Sequence, residues 1–136
     1  MATFQNGNFI TLPVNSNLSA DQYCIVKTDA NGNAVLAAAD TDDIVGVLEE
    51  VPQPLAGSIS AGLVSVAHIS GNGTFKVIAG ASISKGAYLT TDANGHAVAA
   101  TQTAGGSQPS VRVFGRARYA ANSGDVVEYE KCFFLY

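Results

Sequence analysis

One phrase is written twice in this chain. Residues 28–38 are TDANGNAVLAA and residues 91–101 are TDANGHAVAAT; eight of the eleven positions agree, at an offset of 63. Asn-Gly between two apolar runs signals a tight reversal, because both residues tolerate the positive φ that a type I′ hairpin turn needs at its central positions. Strand-like runs precede the phrases, YCIVKT at 23–28 and AYLTT at 87–91, and short apolar runs, NAVLAA at 33–38 and HAVAAT at 96–101, complete them. The spacing predicts two equivalent hairpins, tipped by Asn31-Gly32 and Asn94-Gly95.

The likeness extends outward. NGNF at 6–9 matches NGTF at 72–75, and NLSADQY at 17–23 echoes SISKGAY at 82–88. Downstream, IVGVL at 44–48 corresponds to RVFGRA at 112–117, with Gly46 opposite Gly115. SAGLVSV at 60–66 corresponds to NSGDVVEY at 122–129, with Gly62 opposite Gly124. Two tandem pseudo-repeats follow, roughly 6–69 and 72–131. Two copies are too few for a solenoid. Strand signals dominate, and no window of helical length holds a capped apolar stripe. The expected fold is all-β, a compact barrel or sandwich over residues 21–136, preceded by an extended N-terminal arm over 1–20 in which Pro13 breaks any ladder. Residues 103–110, TAGGSQPS, read as a loop.

The last two strands are legible in detail. In VRVFGRARY, Val111, Val113, Ala117 and Tyr119 share one face, with Arg112, Arg116 and Arg118 opposite. In VVEYEK, Val127 and Tyr129 share a face, with Glu128 and Glu130 opposite. A hairpin through ANSG sets Arg118 beside Glu128 and Arg116 beside Glu130, so the basic cluster has a local structural partner.

Composition narrows the function. Charged residues are 13% of the chain, about half the usual share, while apolar residues reach an ordinary 47%. A surface so poor in charge suits a protein partly covered by neighbours. The net charge of −4 argues against nucleic acid, which needs a basic footprint. Residues 1–13 lack the n- and h-regions of a signal peptide. The longest uncharged stretch, 51–67, holds prolines, glycines and serines and is no membrane span. Cys24 and Cys132 read as thiols of a protein made in the cytosol rather than as a disulfide framework.

Chemical motifs are scarce. Ser82 and Lys85 form an S-x-x-K string in a strand-and-turn pattern, without the helix that such a pair uses. His68 and His96 have no ligand-spaced partner. The acidic run DTDD at 40–43 lacks the framework of a calcium loop. No phosphate loop, dinucleotide fingerprint or nucleophile–base pair is present. The chain is therefore expected not to be an enzyme, and no catalytic residue, cofactor or metal ligand is assigned.

The order of these segments resembles the capsid decoration, or cement, proteins of tailed bacteriophages. VIAGASISKGAYLTTDANGHAV carries the resemblance through Ile83, Gly86, Tyr88, Asp92, Gly95 and Val98. The ending VFGRARYAANSGDVVEYE adds Gly115, Ala117, Gly124, Asp125 and Val127. The family's tryptophan is missing, with Leu89 and Thr90 near its place, and neither the arm nor FFLY has a counterpart. The resemblance implies a structural virion protein, made in the host cytoplasm, that sits on the outer surface of a phage head. Its partners would be the major capsid protein, whose neighbouring subunits it clamps without covalent bonds, and further copies of itself, with a homotrimer the frequent arrangement. No nucleic acid or membrane partner is implied.

Two segments are candidate interfaces. In the arm, Phe4, Phe9, Ile10 and Leu12 accompany backbone free to add to a neighbour's sheet edge. At the C-terminus, Phe133, Phe134, Leu135 and Tyr136 cannot all face one core, because side chains of a strand alternate. The alternative function is a carbohydrate-binding or adhesive module of a phage tail or fibre, which the absence of tryptophan disfavours.

Overall fold

A computed structural model describes residues 8–50 and 62–136. Ten strands follow in order: β1 Phe9–Val14, β2 Ile25–Thr28, β3 Ala34–Leu36, β4 Gly46–Glu50, β5 Gly62–His68, β6 Thr74–Ile78, β7 Tyr88–Thr91, β8 Ala97–Ala99, β9 Arg112–Ala117 and β10 Val126–Leu135. They form two five-stranded antiparallel sheets, ordered β1-β5-β4-β2-β3 and β6-β10-β9-β7-β8. The second order is the first advanced by five strands. The fold is thus an all-β sandwich of two copies of one topology.

Register confirms the repeat residue by residue. Val26 pairs with Leu36 on one side and Gly46 on the other; Leu89 pairs with Ala99 and Gly115. Gly46 and Gly115 are therefore equivalent, as their sequence context indicated. Both are required by close neighbours. A Cβ at Gly46 would lie 2.1 Å from the Ala67 carbonyl oxygen, and one at Gly115 would lie 2.4 Å from the Tyr129 ring.

The two hairpins are equivalent, but their turns are not type I′. Gly32 (φ 83°) and Gly95 (φ 76°) are left-handed, whereas neither Asn31 nor Asn94 is. Each reversal is a type I turn closed by a left-handed glycine, the bulged form of a three-residue loop. The aspartate decides this. The Asp29 carboxylate accepts the amides of Asn31 and Asn33, both at 2.9 Å; Asp92 does the same for Asn94 at 2.8 Å and His96 at 2.9 Å.

Other expected alignments shift by a residue or two. Ile10 pairs with Val66 as Phe75 pairs with Tyr129, so Phe75 corresponds to Ile10 rather than Phe9. Tyr23 corresponds to Gly86, not Tyr88: the amides of Tyr23 and Gly86 donate to Leu48 and Ala117, and both residues are left-handed, at φ 67° and 82°. The expected arm is also divided. Residues 1–7 lie outside the described residues, whereas 9–14 form β1, paired along its length with β5. Pro13 sits in β1 because that strand is the sheet edge, where a missing amide costs no ladder bond.

The two modules are not packed as equals. In the first sheet, Val26, Leu48, Val64 and Val66 join Val14 and Leu18 in one core. Their strand neighbours Ile25 and Val47 face the other way, into a second core with Val77, Leu89, Ala97, Phe114, Val127 and Tyr129 of the second module. The first sheet is buried on both faces, which is why β2, β4 and β5 carry consecutive apolar residues instead of alternating ones. The second sheet is buried on one face only.

Candidate interaction surface

The outward face of the second sheet follows from the repeat. Ile25, Val47 and Ala67 have as counterparts Tyr88, Arg116 and Glu130. The first three are fully buried, while Tyr88, Arg116 and Glu130 are exposed. Arg116 lies opposite Glu130 in register, and Arg118 reaches Glu128 at 3.8 Å, matching the pairing read from the two strands. The Arg116 Nε–H donates to the Gly86 carbonyl at 3.1 Å.

Two adjoining grooves of about 310 and 300 Å3 lie on this face. Arg116 and Glu130 border both. Lys85, Arg118 and Tyr119 complete one, and Tyr88, Cys132 and Phe134 complete the other. The C-terminal aromatics explain part of the second groove. Tyr88, Phe134 and Tyr136 meet edge to face at centroid separations of 4.9–5.7 Å.

The candidate interface residues are therefore separated by strand parity. Phe134 and Tyr136 pack against Tyr88 on the outward face, whereas Phe133 and Leu135, of the opposite parity, are each 46% exposed. These last residues of β10 extend past β6, whose pairing ends at Thr74 opposite Glu130. Just beyond that point the Lys131 amide still donates to the Gly73 carbonyl at 3.1 Å; among the described residues, Phe134 and Leu135 then pair with β9 alone. An apolar strip and a strand edge coincide here. From the other candidate segment, Ile10 and Leu12 pack against the first core, and Phe9 lies edge to face with Phe75 at 5.4 Å. Phe4 lies outside the described residues.

A buried cation ties these elements together. Lys131 Nζ donates to the carbonyls of Asn8 at 3.2 Å and Ser70 at 3.4 Å and stands 4.2 Å from the Phe75 ring centroid. Burial lowers its pKa, and Glu49 opposes that shift. Its counterpart in the first module is His68, whose pKa burial and Lys131 both lower. No local pattern signals this knot, since its parts are spread from Asn8 to Lys131.

Both cysteines are free. Burial, then Asp21 and Asp92, pushes the Cys24 thiol up to about 11; burial and Glu130 raise that of Cys132 against the pull of Arg116. Such thiols hold their protons at neutral pH and are poor nucleophiles. The DTDD run has a structural use: Asp42 accepts the amides of Ala38 and Ala39 and pairs with Lys27 at 2.9 Å. Among the described residues, no cluster of three or more His, Cys, Asp or Glu is placed to hold a metal ion, and no helix is long and apolar enough to cross a membrane.

Comparison with known proteins bears on the fold. A family model described as the Hpf1 C-terminal YTTT repeat matches residues 87–104, the β7–β8 hairpin and its flank. No curated protein matches the chain. Among solved structures, the chain is similar to the head fiber gp8.5 N base of bacteriophage phi29, at 22% identity, covering 91% of this chain and 94% of that one with a TM-score of 0.61. The two share a fold along nearly their whole length.

Proposed function

We propose that this chain is a structural protein of a tailed-phage virion that sits on the outer surface of the head. The observation carrying this reading is the fold shared, almost end to end, with a phage head fibre base. The resemblance of most of residues 20–130 to phage decoration proteins agrees with it. So does the surface: the apolar strip of Phe133 and Leu135 at a strand edge suits binding rather than catalysis.

Function in this reading is mechanical and needs no reaction. The protein binds neighbouring subunits of the major capsid protein in the assembled lattice and stabilises that state by RT ln(1 + [L]/Kd) per site. Copies associate through the β10 edge, most simply as a homotrimer, and avidity from several linked sites strengthens the hold. The protein is made in the host cytoplasm and joins the particle there.

The test is co-sedimentation of the purified protein with expanded, undecorated heads of its phage. Saturable binding, with greater heat resistance of the loaded heads, is expected. Absence of binding to any head form would remove the proposal.

A further inference from the structure

The outward face of the second sheet has a counterpart in the same chain whose occupant is visible. In the first sheet, the face bearing Ile25 and Val47 receives the second module. The equivalent positions, Tyr88 and Arg116, are exposed, and among the described residues no sheet packs on them. A face that served only to end the stack would need nothing but polar groups. This one also carries Tyr88 at 38% and Tyr119 at 55% exposure, beside two grooves that meet at Arg116.

We infer that this face is where the protein meets the phage shell, and that the surface it meets is an acidic stretch of polypeptide. The inference rests on the capsid reading above and names the chemistry of the contact. Charge is the first argument. Lys85, Arg116 and Arg118 border one groove with Glu130, and Glu128 pairs with Arg118, so these groups still leave a cation in excess in a chain whose net charge is −4. The excess of cations is local and runs against the whole.

Geometry is the second argument. Among the described residues, Arg116 gives only its Nε–H, to the Gly86 carbonyl. A guanidinium has five N–H groups, and its terminal fork matches a carboxylate with two parallel bonds. Gly86 permits this posture. It is left-handed, at φ +82°, and a Cβ there would stand 3.3 Å from Arg116 Nη2, close enough to crowd the guanidinium by a few tenths of an ångström. Flanking tyrosines add contact area with little loss of rotamer freedom, and arginine and tyrosine are the residues that anchor protein interfaces. Lys85, exposed beside the groove, supplies a second cation for an acidic run.

The test compares wild type with K85E/R116Q and with the control K76E in co-sedimentation with expanded heads at low and high salt. Lys76 also lies on this face of the second sheet, opposite Glu128, but lines neither groove. K85E/R116Q is expected to bind about tenfold more weakly, with a flatter salt dependence, while K76E binds as wild type. Thermal unfolding checks that each variant is folded; should the double variant unfold, K85E alone, at an exposed position, carries the same expectation in smaller measure. Undiminished binding by the folded variants, or equal loss in K76E, overturns this assignment while leaving the capsid reading intact. Failure of the wild type to bind any head overturns both.

Discussion

The amide of Ile25 donates to the carbonyl of Gly95 at 2.7 Å, so the tip of the second module's hairpin is docked on the first module's β2. Among the described residues, the first module's tip has no such contact: a Cβ at Gly32 would meet nothing within 4 Å, whereas one at Gly95 would lie 2.9 Å from the Ile25 carbonyl oxygen and 3.4 Å from the Leu36 side chain. Two identical turns thus have different surroundings.

Gly32→Ala and Gly95→Ala separate conformation from packing. Each forces alanine into a left-handed conformation, a cost of about 1–2 kcal/mol. Gly95→Ala adds overpacking against a backbone carbonyl, typically about 1–3 kcal/mol more. Urea denaturation should show Gly95→Ala as clearly the less stable. Equal losses would mean that the docked tip contributes nothing to the junction.

This asymmetry marks the limit of what the sequence discloses. The hairpins were legible because Asp, Asn and Gly act locally. Their turn type was misjudged because Asn-Gly permits two geometries, and the Asp29 carboxylate, gripping two amides, selects the bulged one. β1 read as an arm because Pro13 weakens any strand signal, yet an edge strand tolerates it. The Gly46–Gly115 match survived an offset of 69 instead of 63 because both positions need glycine for close strand approach. Tyr23 hid its likeness to Gly86 because a tyrosine at positive φ is unexpected. The outward face was legible as alternation along two strands; that its twin in the first sheet is buried depends on how the modules stack, which no local pattern records.

Replacing Phe133 and Leu135 together by serine tests the apolar edge. Both side chains are half exposed, and the aromatic contacts of Phe134 and Tyr136 with Tyr88 remain. The double variant should unfold at nearly the wild-type urea concentration, within about 0.5 kcal/mol per site, but sediment as a monomer. A wild type that is itself a stable monomer, both free and on heads, would contradict the association proposed for this edge.

Acid should weaken the fold in two stages. His68 titrates below its ordinary value of 6.5 because burial and Lys131 disfavour its charged form. The unfolded chain therefore takes that proton first, and stability falls as the pH drops from about 6.5 through the depressed folded value. Asp29 and Asp42 titrate below 3.8, held down chiefly by backbone amides of Asn33 and Ala38. Their contribution is complete above 3.8 and is lost as the pH falls through their lower folded values. Thermal melts from pH 8 to pH 2 should show both stages, and His68→Asn should erase the first. A first stage that persists in His68→Asn would assign it elsewhere.

A place on the outside of a phage head can be seen by electron cryomicroscopy of heads incubated with the purified protein. Density for the two-sheet sandwich is expected at regular positions on the outer lattice, bridging neighbouring capsid subunits, with the Tyr88–Arg116–Glu130 face turned toward the shell. Heads that remain bare at saturating protein, or density confined to the tail or the interior, would contradict it.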